Sequence, residues 1–157
     1  MKKILIVTDA WRPQINGVVR TLERLASELS ALDFRVELLT PQEFTTLPCP
    51  TYPEIRLALA SPGAVRRRID AFGPDYVHVA TEGPLGWTAV TAANKLRIPV
   101  SSDFHTNFDH YSGHYGMGWL RQPVAAYLRR FHNRSAATFV PTAALAAQLS
   151  AQGYRSV

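Results

Sequence analysis

The sequence predicts one α/β domain in which helices cover both faces of a parallel sheet. Short, continuous apolar runs typical of doubly buried strands alternate with segments whose apolar residues recur at helical spacing. The 157 residues are enough for a sizeable core, and 46% hydrophobic against 18% charged residues excludes a disordered chain. Since crossovers between parallel strands are right-handed, we expect a doubly wound, Rossmann-like sheet over residues 1–157.

The first half of the chain contains three predicted strands and two helices. The run "KILIVTD" predicts a strand, and a helix follows from Gly17 to about Leu32 with Asn16 as its N-cap. "FRVELLT" is the next strand, and the proline-rich connection "PQEFTTLPCPTYPE" leads to a short strand, "IRLAL". Ser61 then caps a helix that runs to about Phe72, because proline at the first helical position favours a helix start.

The second half repeats the alternation of strand and helix. "YVHVA" predicts a strand, Pro84 to Leu96 a helix, and "IPVSSDF" another strand. Pro123 starts a helix that runs to about Arg134, "ATFVP" is a strand, and Gly153 ends the last helix. The final "GYRSV" is typical of a turn into a new strand, so we expect the first domain of a longer protein.

Charge and cysteine content narrow the functional classes. A net charge of +5 and a pI of about 9.7 indicate an anionic partner: nucleic acid, a phosphorylated ligand or a membrane surface. The single cysteine, Cys49, excludes an internal disulfide and is expected to be a bystander thiol. The apolar run after the N-terminal lysines is too short for a signal peptide, and no run could span a membrane, so we expect a cytoplasmic protein.

Three unusual loops follow predicted strands: "DAWRPQINGVV", "ATEGPLG" and "SDFHTNFDHYSGHYG". Because open α/β sheets bind ligands beyond the carboxyl ends of their strands, we expect the loops to form one site. Gly17 begins a helix whose amides and dipole favour an anion, with Arg20 one turn further on. Gly17 could equally serve only a tight turn. Glu82, before Gly83 at a helix start, is either a favourable charge on the helix dipole or a contact to a sugar hydroxyl.

The histidines of the third loop raise the question of a metal or nucleic-acid site. His110 and His114 have the i, i+4 spacing of two zinc ligands on a helix. Gly113 and Gly116 disfavour a helix, and no cysteine or H-E-x-x-H motif is present, so we expect no metal. A nucleic-acid surface needs lysines and arginines among the aromatics. Residues 101–118 contain none, so we expect no nucleic-acid partner.

His105 differs from the other histidines because it follows a strand at the expected ligand-binding edge. A histidine there can hold a hydroxyl or a developing negative charge, or it can be a polar residue satisfied by its neighbours. The absence of a G-x-G-x-x-G motif argues against hydride transfer with a nicotinamide cofactor. The absence of G-x-x-x-x-G-K-[ST] excludes the P-loop NTPases.

Four stretches together resemble the N-terminal half of the retaining, family-4 glycosyltransferases of the GT-B fold. They are "VTDAWRPQINGVVRTL", "PDYVHVATEGPLG", "DFHTNF" and "RRFHNRSAATFVPT". The resemblance covers essentially the whole chain and is strongest to GDP-mannose-dependent α-mannosyltransferases that act on lipid acceptors, with the sulfoquinovosyl- and glucosyltransferases of glycolipid synthesis as relatives.

The resemblance implies a role for each matching residue. Gly17 would lie against the diphosphate of the donor, flanked by Asn16 and Arg20. His105 would contact the donor sugar near its 6-hydroxyl and be required for transfer. The acceptor and sugar side would be lined by Glu82, Gly83 and Thr106.

The implied reaction transfers a hexose, expected to be mannose from GDP-mannose, to a lipid or glycan acceptor with retention and without a metal or cofactor. In this family a C-terminal domain holds the nucleotide with an Arg/Lys pair and two glutamates separated by seven residues. No such domain lies within residues 1–157, so we expect this chain alone to be inactive. The alternative is a non-catalytic sugar-phosphate- or nucleotide-binding module that uses the Gly17 anion site but not His105 chemistry.

The segment "GWLRQPVAAYLRRFHNR" predicts a basic amphipathic helix. Such a helix can lie on an anionic bilayer with its arginines at the headgroups, or pack its apolar stripe on the sheet as an ordinary domain helix. The cluster Arg66–Arg68 and the net charge of +5 favour the first possibility slightly. The first possibility would place the protein peripherally on the inner face of the cell membrane, and the second would leave it in the cytoplasm.

Overall fold

The computed structural model describes most of the chain. The described residues are 1–12, 17–48, 50, 56–104 and 121–157. Three of the residues assigned to the site by the sequence, Asn16, His105 and Thr106, lie outside these ranges.

Strands and helices alternate along the described chain as predicted. The strands are β1 (Lys3–Val7), β2 (Arg35–Leu39), β3 (Thr46–Pro48), β4 (Arg56–Ala58), β5 (Tyr76–Val79), β6 (Val100–Asp103) and β7 (Ala137–Phe139). The helices are α1 (Gly17–Ala31), α2 (Pro62–Phe72), α3 (Pro84–Lys95), α4 (Arg121–His132) and α5 (Ala143–Ala151), with a short 3₁₀ helix at Pro41–Glu43.

Five strands form one sheet in the order β2-β1-β5-β6-β7, and every neighbouring pair is parallel. The predicted doubly wound, Rossmann-like α/β fold is confirmed. The proline-rich connection contains a strand that the sequence analysis did not predict, β3. It pairs antiparallel with β4 as a separate two-stranded sheet, so the predicted strand "IRLAL" does not join the main sheet.

Two apolar layers cover the two faces of the sheet, because successive strand residues point to opposite sides. On one face Leu5 and Val77 are fully buried in a core that includes residues of α2 and α3. On the other face Ile6 packs with Leu22 of α1. A third cluster joins α4 and α5 to the end of β6 around Phe104. This packing holds the carboxyl ends of the strands in place relative to the helices on both faces of the sheet.

The helix ends follow the signals in the sequence. The Ser61 hydroxyl accepts a hydrogen bond from the amide of Ala64 at 3.1 Å, and Gly73 ends α2 in the left-handed region at φ 63°. The Thr142 hydroxyl accepts from Leu145 at the start of α5, and Gly153, at φ 97°, follows this helix. Local capping chemistry therefore accounts for the ends of both α2 and α5.

Helix α4 packs its apolar stripe inward. Leu128 and Phe131 are buried, whereas Arg129 and Arg130 are exposed. The helix begins two residues before the predicted start at Pro123, a difference within the usual uncertainty of helix ends. None of the helices in the described part of the chain is long and apolar enough to cross a membrane.

Candidate functional site

The sheet reverses its winding direction between β1 and β5. From β1 the chain passes to β2 on one side, whereas β5, β6 and β7 follow one another on the other side. Ligands of doubly wound proteins bind in the crevice at such a switch point, beyond the carboxyl ends of the strands. The three loops singled out in the sequence follow β1, β5 and β6, which are adjacent. The predicted convergence of their starting points is confirmed.

Asp9, two residues after β1, joins the first two of these loops. One carboxylate oxygen, Oδ1, accepts the amide hydrogen of Leu85 at 2.7 Å, and Oδ2 accepts that of Gly86 at 3.1 Å. The Thr81 hydroxyl donates to Oδ2 at 2.7 Å and accepts from the backbone amide of Asp9, also at 2.7 Å. The Asp9 side chain therefore caps the N-terminus of α3 from another segment of the chain.

The environment of Asp9 raises its pKa above the usual value. Burial of the carboxylate is the largest cause and outweighs the hydrogen bonds from Thr81, Leu85, Gly86 and Gly83, each of which lowers the pKa. These donors therefore offset only part of the cost of burying the carboxylate.

Two glycines give the Asp9 carboxylate and the β5 loop the space they need. A Cβ atom at Gly83 would collide with the Asp9 carboxyl group, and one at Gly86 would collide with the carbonyl oxygen of Thr81. Gly83 was assigned to the acceptor side from the sequence. Its observed contact is with Asp9, which gives it a structural reason to be glycine.

Glu82 is tied to α4 by a buried histidine. Its Oε1 lies 2.9 Å from Nε2 of His132, whose Nδ1 lies 2.8 Å from the Ser102 hydroxyl of β6. The His132 side chain is 0% exposed and that of Glu82 is 13% exposed. The Ser102 hydroxyl is also 3.3 Å from that of Thr138 in β7. A continuous polar chain therefore runs from the interior of the sheet to the predicted acceptor loop.

Tyr127 holds the same loop through its backbone. Its hydroxyl donates to the carbonyl oxygen of Glu82 at 2.5 Å, and its ring stacks on Trp87 with a centroid separation of 5.5 Å. Burial raises the pKa of the Tyr127 phenol, and the nearby charges of Asp9 and Glu82 raise it further. The loop after β5, which carries Glu82, is thus held by the Asp9 carboxylate on one side and by the neutral Tyr127 phenol on the other.

Gly17 begins α1 with open space beside it. Apart from its chain neighbours and the backbone of its own helix, no atom of the described residues lies within 4 Å of where a Cβ would stand. The residues of the tight turn that the sequence also allows, 13–16, lie outside the described ranges. Gly17, Val18, Thr21 and Leu22 line a cavity of about 310 Å³.

Of Arg12 and Arg20, the two described arginines nearest the N-terminus of α1, Arg20 is the one without an ion pair to a described residue. Arg12 forms an ion pair with Glu23 at 2.6 Å. Arg20 is exposed, and among the described residues it forms no ion pair. Arg20 therefore remains the candidate cation beside the α1 N-terminus.

A second histidine lies in a similar polar setting on the other face of the sheet. His78 contacts the Ser101 hydroxyl through Nδ1 at 2.8 Å and Asp103 through Nε2 at 2.9 Å.

Within the described ranges no group of three or more His, Cys, Asp or Glu side chains could hold a metal ion. His110 and His114, considered above as zinc ligands, lie outside those ranges.

The polar side chains that organise this edge were missed in the sequence. They are Asp9, Thr81, Ser102, Tyr127 and His132. His132 had a local signal, because it continues the apolar stripe of α4 four residues after Leu128 and so had to be buried and hydrogen-bonded. The signal in the sequence at Asp9 was weaker: it is a carboxylate two residues beyond a buried strand.

Comparison with known proteins yields a family and a fold. A family model described as Glycosyltransferase Family 4 matches residues 15–157. The sulfoquinovosyl transferase SQD2 of Arabidopsis thaliana is 32% identical over 153 residues, which cover 92% of this chain and 30% of that protein. A GDP-mannose-dependent alpha-mannosyltransferase of Mycobacterium tuberculosis is 24% identical over 168 residues, with coverages of 96% and 44%. The chain therefore spans less than half the length of these relatives.

Among solved structures, the co-structure of S. aureus MnaA with UDP is similar to this chain with a TM-score of 0.58 and 17% sequence identity. The match covers 99% of this chain and 43% of that one. At this identity the likeness supports the Rossmann-like fold alone.

Proposed function

Because the chain belongs to glycosyltransferase family 4, we propose that it forms the acceptor-side domain of an enzyme that transfers a hexose from a nucleotide diphosphate sugar to a hydroxyl acceptor with retention. The observation that supports this most is positional. Loops with the family motifs leave the adjacent strands β1, β5 and β6 at the switch point, where doubly wound folds bind ligands. The family match and the fold thus indicate the same edge of the sheet.

The donor is proposed to be GDP-mannose and the acceptor a lipid or glycan. The motifs quoted above most resemble mannosyltransferases, and one of the two relatives described above is named as a GDP-mannose-dependent enzyme. The other relative is named for transfer of sulfoquinovose, so the sugar has to be measured directly.

The donor diphosphate is assigned to the N-terminus of α1. The amides there and the helix dipole stabilise an anion, and Gly17 leaves the backbone accessible. Arg20 and Asn16 would assist. As the bond to the sugar breaks, negative charge grows on the leaving diphosphate, and fixed dipoles and cations stabilise it without a metal.

The sugar and acceptor are assigned to the other two loops. His105 would hold the donor sugar and stabilise its transition state, with Thr106 beside it. Glu82 would accept a hydrogen bond from the acceptor hydroxyl. Its backbone and carboxylate are both held by α4, through Tyr127 and His132, and this rigidity favours precise placement of the acceptor.

The nucleotide would be bound by a second domain outside this chain, so residues 1–157 alone are proposed to be inactive. The protein is proposed to act in the cytoplasm, at the inner face of the membrane where a lipid acceptor is available. No cofactor is assigned.

A donor panel tests this function. The complete gene product that contains this chain is incubated with GDP-mannose or UDP-glucose, and with diacylglycerol vesicles or methyl α-D-mannoside as acceptor. We expect an α-linked product from GDP-mannose, with its anomeric configuration established by NMR. Donor binding without transfer to any acceptor would instead indicate the non-catalytic binding module.

A further inference from the structure

We infer that His132 is a positioning residue that aims the Glu82 carboxylate at a hydroxyl of the acceptor. This inference rests on the proposed function, since it assigns the acceptor subsite of that reaction to Glu82. His132 itself is fully buried and does not touch substrate. Its role is to fix where the Glu82 carboxylate lies.

The His132 ring is held at both nitrogens. Nε2 contacts Glu82 at 2.9 Å and Nδ1 contacts Ser102 at 2.8 Å. Phe131 and Phe104 lie against the ring at centroid distances of 5.1 and 5.3 Å. Rotation of the ring would break one buried and one partly buried hydrogen bond at once, and such bonds are stronger in a medium of low dielectric constant than in water.

The tautomer of His132 that carries its hydrogen on Nε2 satisfies both contacts. Nε2–H then donates to the carboxylate, and Nδ1 accepts the hydroxyl hydrogen of Ser102. An ionised carboxylate offers about four acceptor sites, so it can bond to His132, to its other protein partners and to an acceptor hydroxyl at once. Glu82 therefore suits a neutral, hydroxyl-bearing acceptor.

The location of this network distinguishes it from ordinary core packing. A histidine needed only for stability could bond to any buried acceptor. His132 instead reaches 50 positions back to a carboxylate that is 13% exposed, in the loop after β5 at the ligand-binding edge. Tyr127, from the same helix, fixes the backbone of that same residue. Side chain and main chain of Glu82 are both constrained by α4.

The chain offers a matched control on the opposite face of the sheet. His78 also joins a serine of β6 to a carboxylate, through Ser101 and Asp103, at nearly the same distances. A His78→Leu variant removes two equivalent hydrogen bonds but leaves the Glu82 network intact. It therefore separates loss of stability from loss of positioning.

The experiment measures KM for acceptor and donor separately in the complete protein, with the acceptor found by the donor panel. We expect His132→Leu to raise the acceptor KM about tenfold or more and to leave the donor KM unchanged, because a bond to a charged group is lost. His132→Gln, whose amide can replace Nε2–H, should recover most of the loss. Glu82→Gln should raise the acceptor KM similarly, and the double variant His132→Leu/Glu82→Gln should add nothing further.

Three results would overturn the inference: an unchanged acceptor KM in folded His132→Leu, additive effects in the double variant, or an equal rise in acceptor KM for His78→Leu. If the wild-type protein transfers no sugar, the proposed function fails instead. Calorimetric titration with methyl α-D-mannoside then decides the inference separately. Weaker binding of the mannoside to His132→Leu than to His132→Gln supports the positioning role of His132. Equal or absent binding of the mannoside by all variants overturns that role.

Discussion

The Asp9 carboxylate accepts the backbone amide hydrogen of Leu85 at 2.7 Å, across 76 positions of the chain. The N-terminus of α3, which could otherwise bind an anion, is thus already neutralised by the protein's own carboxylate. Gly17 at the start of α1 has open space instead. Within the described residues, this difference supports our proposal that a donor phosphate binds at α1 and not at α3.

Asp9→Ala should destabilise the fold. The substitution removes the cap of α3 and leaves the amides of Leu85 and Gly86 without their acceptor, so we expect a loss of about 2–3 kcal/mol in the free energy of unfolding. Urea denaturation measures it. Thr88→Ala is the control, because the Thr88 hydroxyl bonds only to the carbonyl of Pro84 within the same helix. A loss for Asp9→Ala no larger than the control's would contradict the capping role.

Ionisation of Asp9 should make stability depend on pH. Since the folded-state pKa is raised above 3.8, its contribution is fully present below the unfolded pKa and is lost as the pH rises through the folded pKa. The free energy of unfolding of the wild type, relative to Asp9→Asn, should therefore fall as the pH is raised above 3.8. Urea denaturation of both proteins at a series of pH values below and above 3.8 measures this difference. A difference that is flat, or that grows with pH, would refute the raised pKa.

Gly17→Val should weaken donor binding and spare the fold. A Cβ there meets no described atom within 4 Å beyond its chain neighbours and its own helix, yet the valine methyls would stand where a phosphate would approach the α1 amides. We expect the donor Kd to rise at least about tenfold with little change in Tm. Gly86→Ala is the opposite case, because its Cβ would collide with the Thr81 carbonyl, and it should lower Tm by several degrees. A large loss in the Tm of Gly17→Val with intact donor affinity would indicate that Gly17 serves only a tight turn.

His105→Ala should lower turnover by about 10²-fold or more, as expected when a transition-state hydrogen bond is lost. The thermal unfolding of the variant should match that of the wild type. His110→Ala, from the same loop, is the control and should retain its turnover. Near-normal turnover of folded His105→Ala would remove His105 from the site.

Membrane association should depend on the exposed arginines of α4. We expect the protein to sediment with anionic vesicles at low salt and to be released at high salt, since each surface arginine adds up to about 1 kcal/mol. Arg129→Glu/Arg130→Glu should weaken binding more than Lys2→Glu/Arg24→Glu, which changes the net charge equally at exposed positions elsewhere. Absence of binding to anionic vesicles at low salt would leave α4 an ordinary packed helix.

Local patterns in the sequence were sufficient to predict the five strands of the main sheet and its helices, but not β3. Ser61 and Thr142 cap their helices because a hydroxyl one residue before a helix reaches the free amides of its first turn. Leu128 and Phe131 are buried because residues three apart share a helix face. The alternation of parallel strands and helices also predicted that the three loops begin at one edge of the sheet, where such folds bind ligands.

The sequence by itself therefore determined the alternation of strands and helices, the ends of α2 and α5, and the edge where the site lies, because these depend on residues a few positions apart. Only the tertiary structure decided that Asp9 caps α3, that His132 holds Glu82, and that β3 and β4 form a separate pair. Such contacts depend on which strands become neighbours, and that choice is made by burial of whole faces against each other. No periodicity within one segment specifies a hydrogen bond to a residue 50 or 76 positions away.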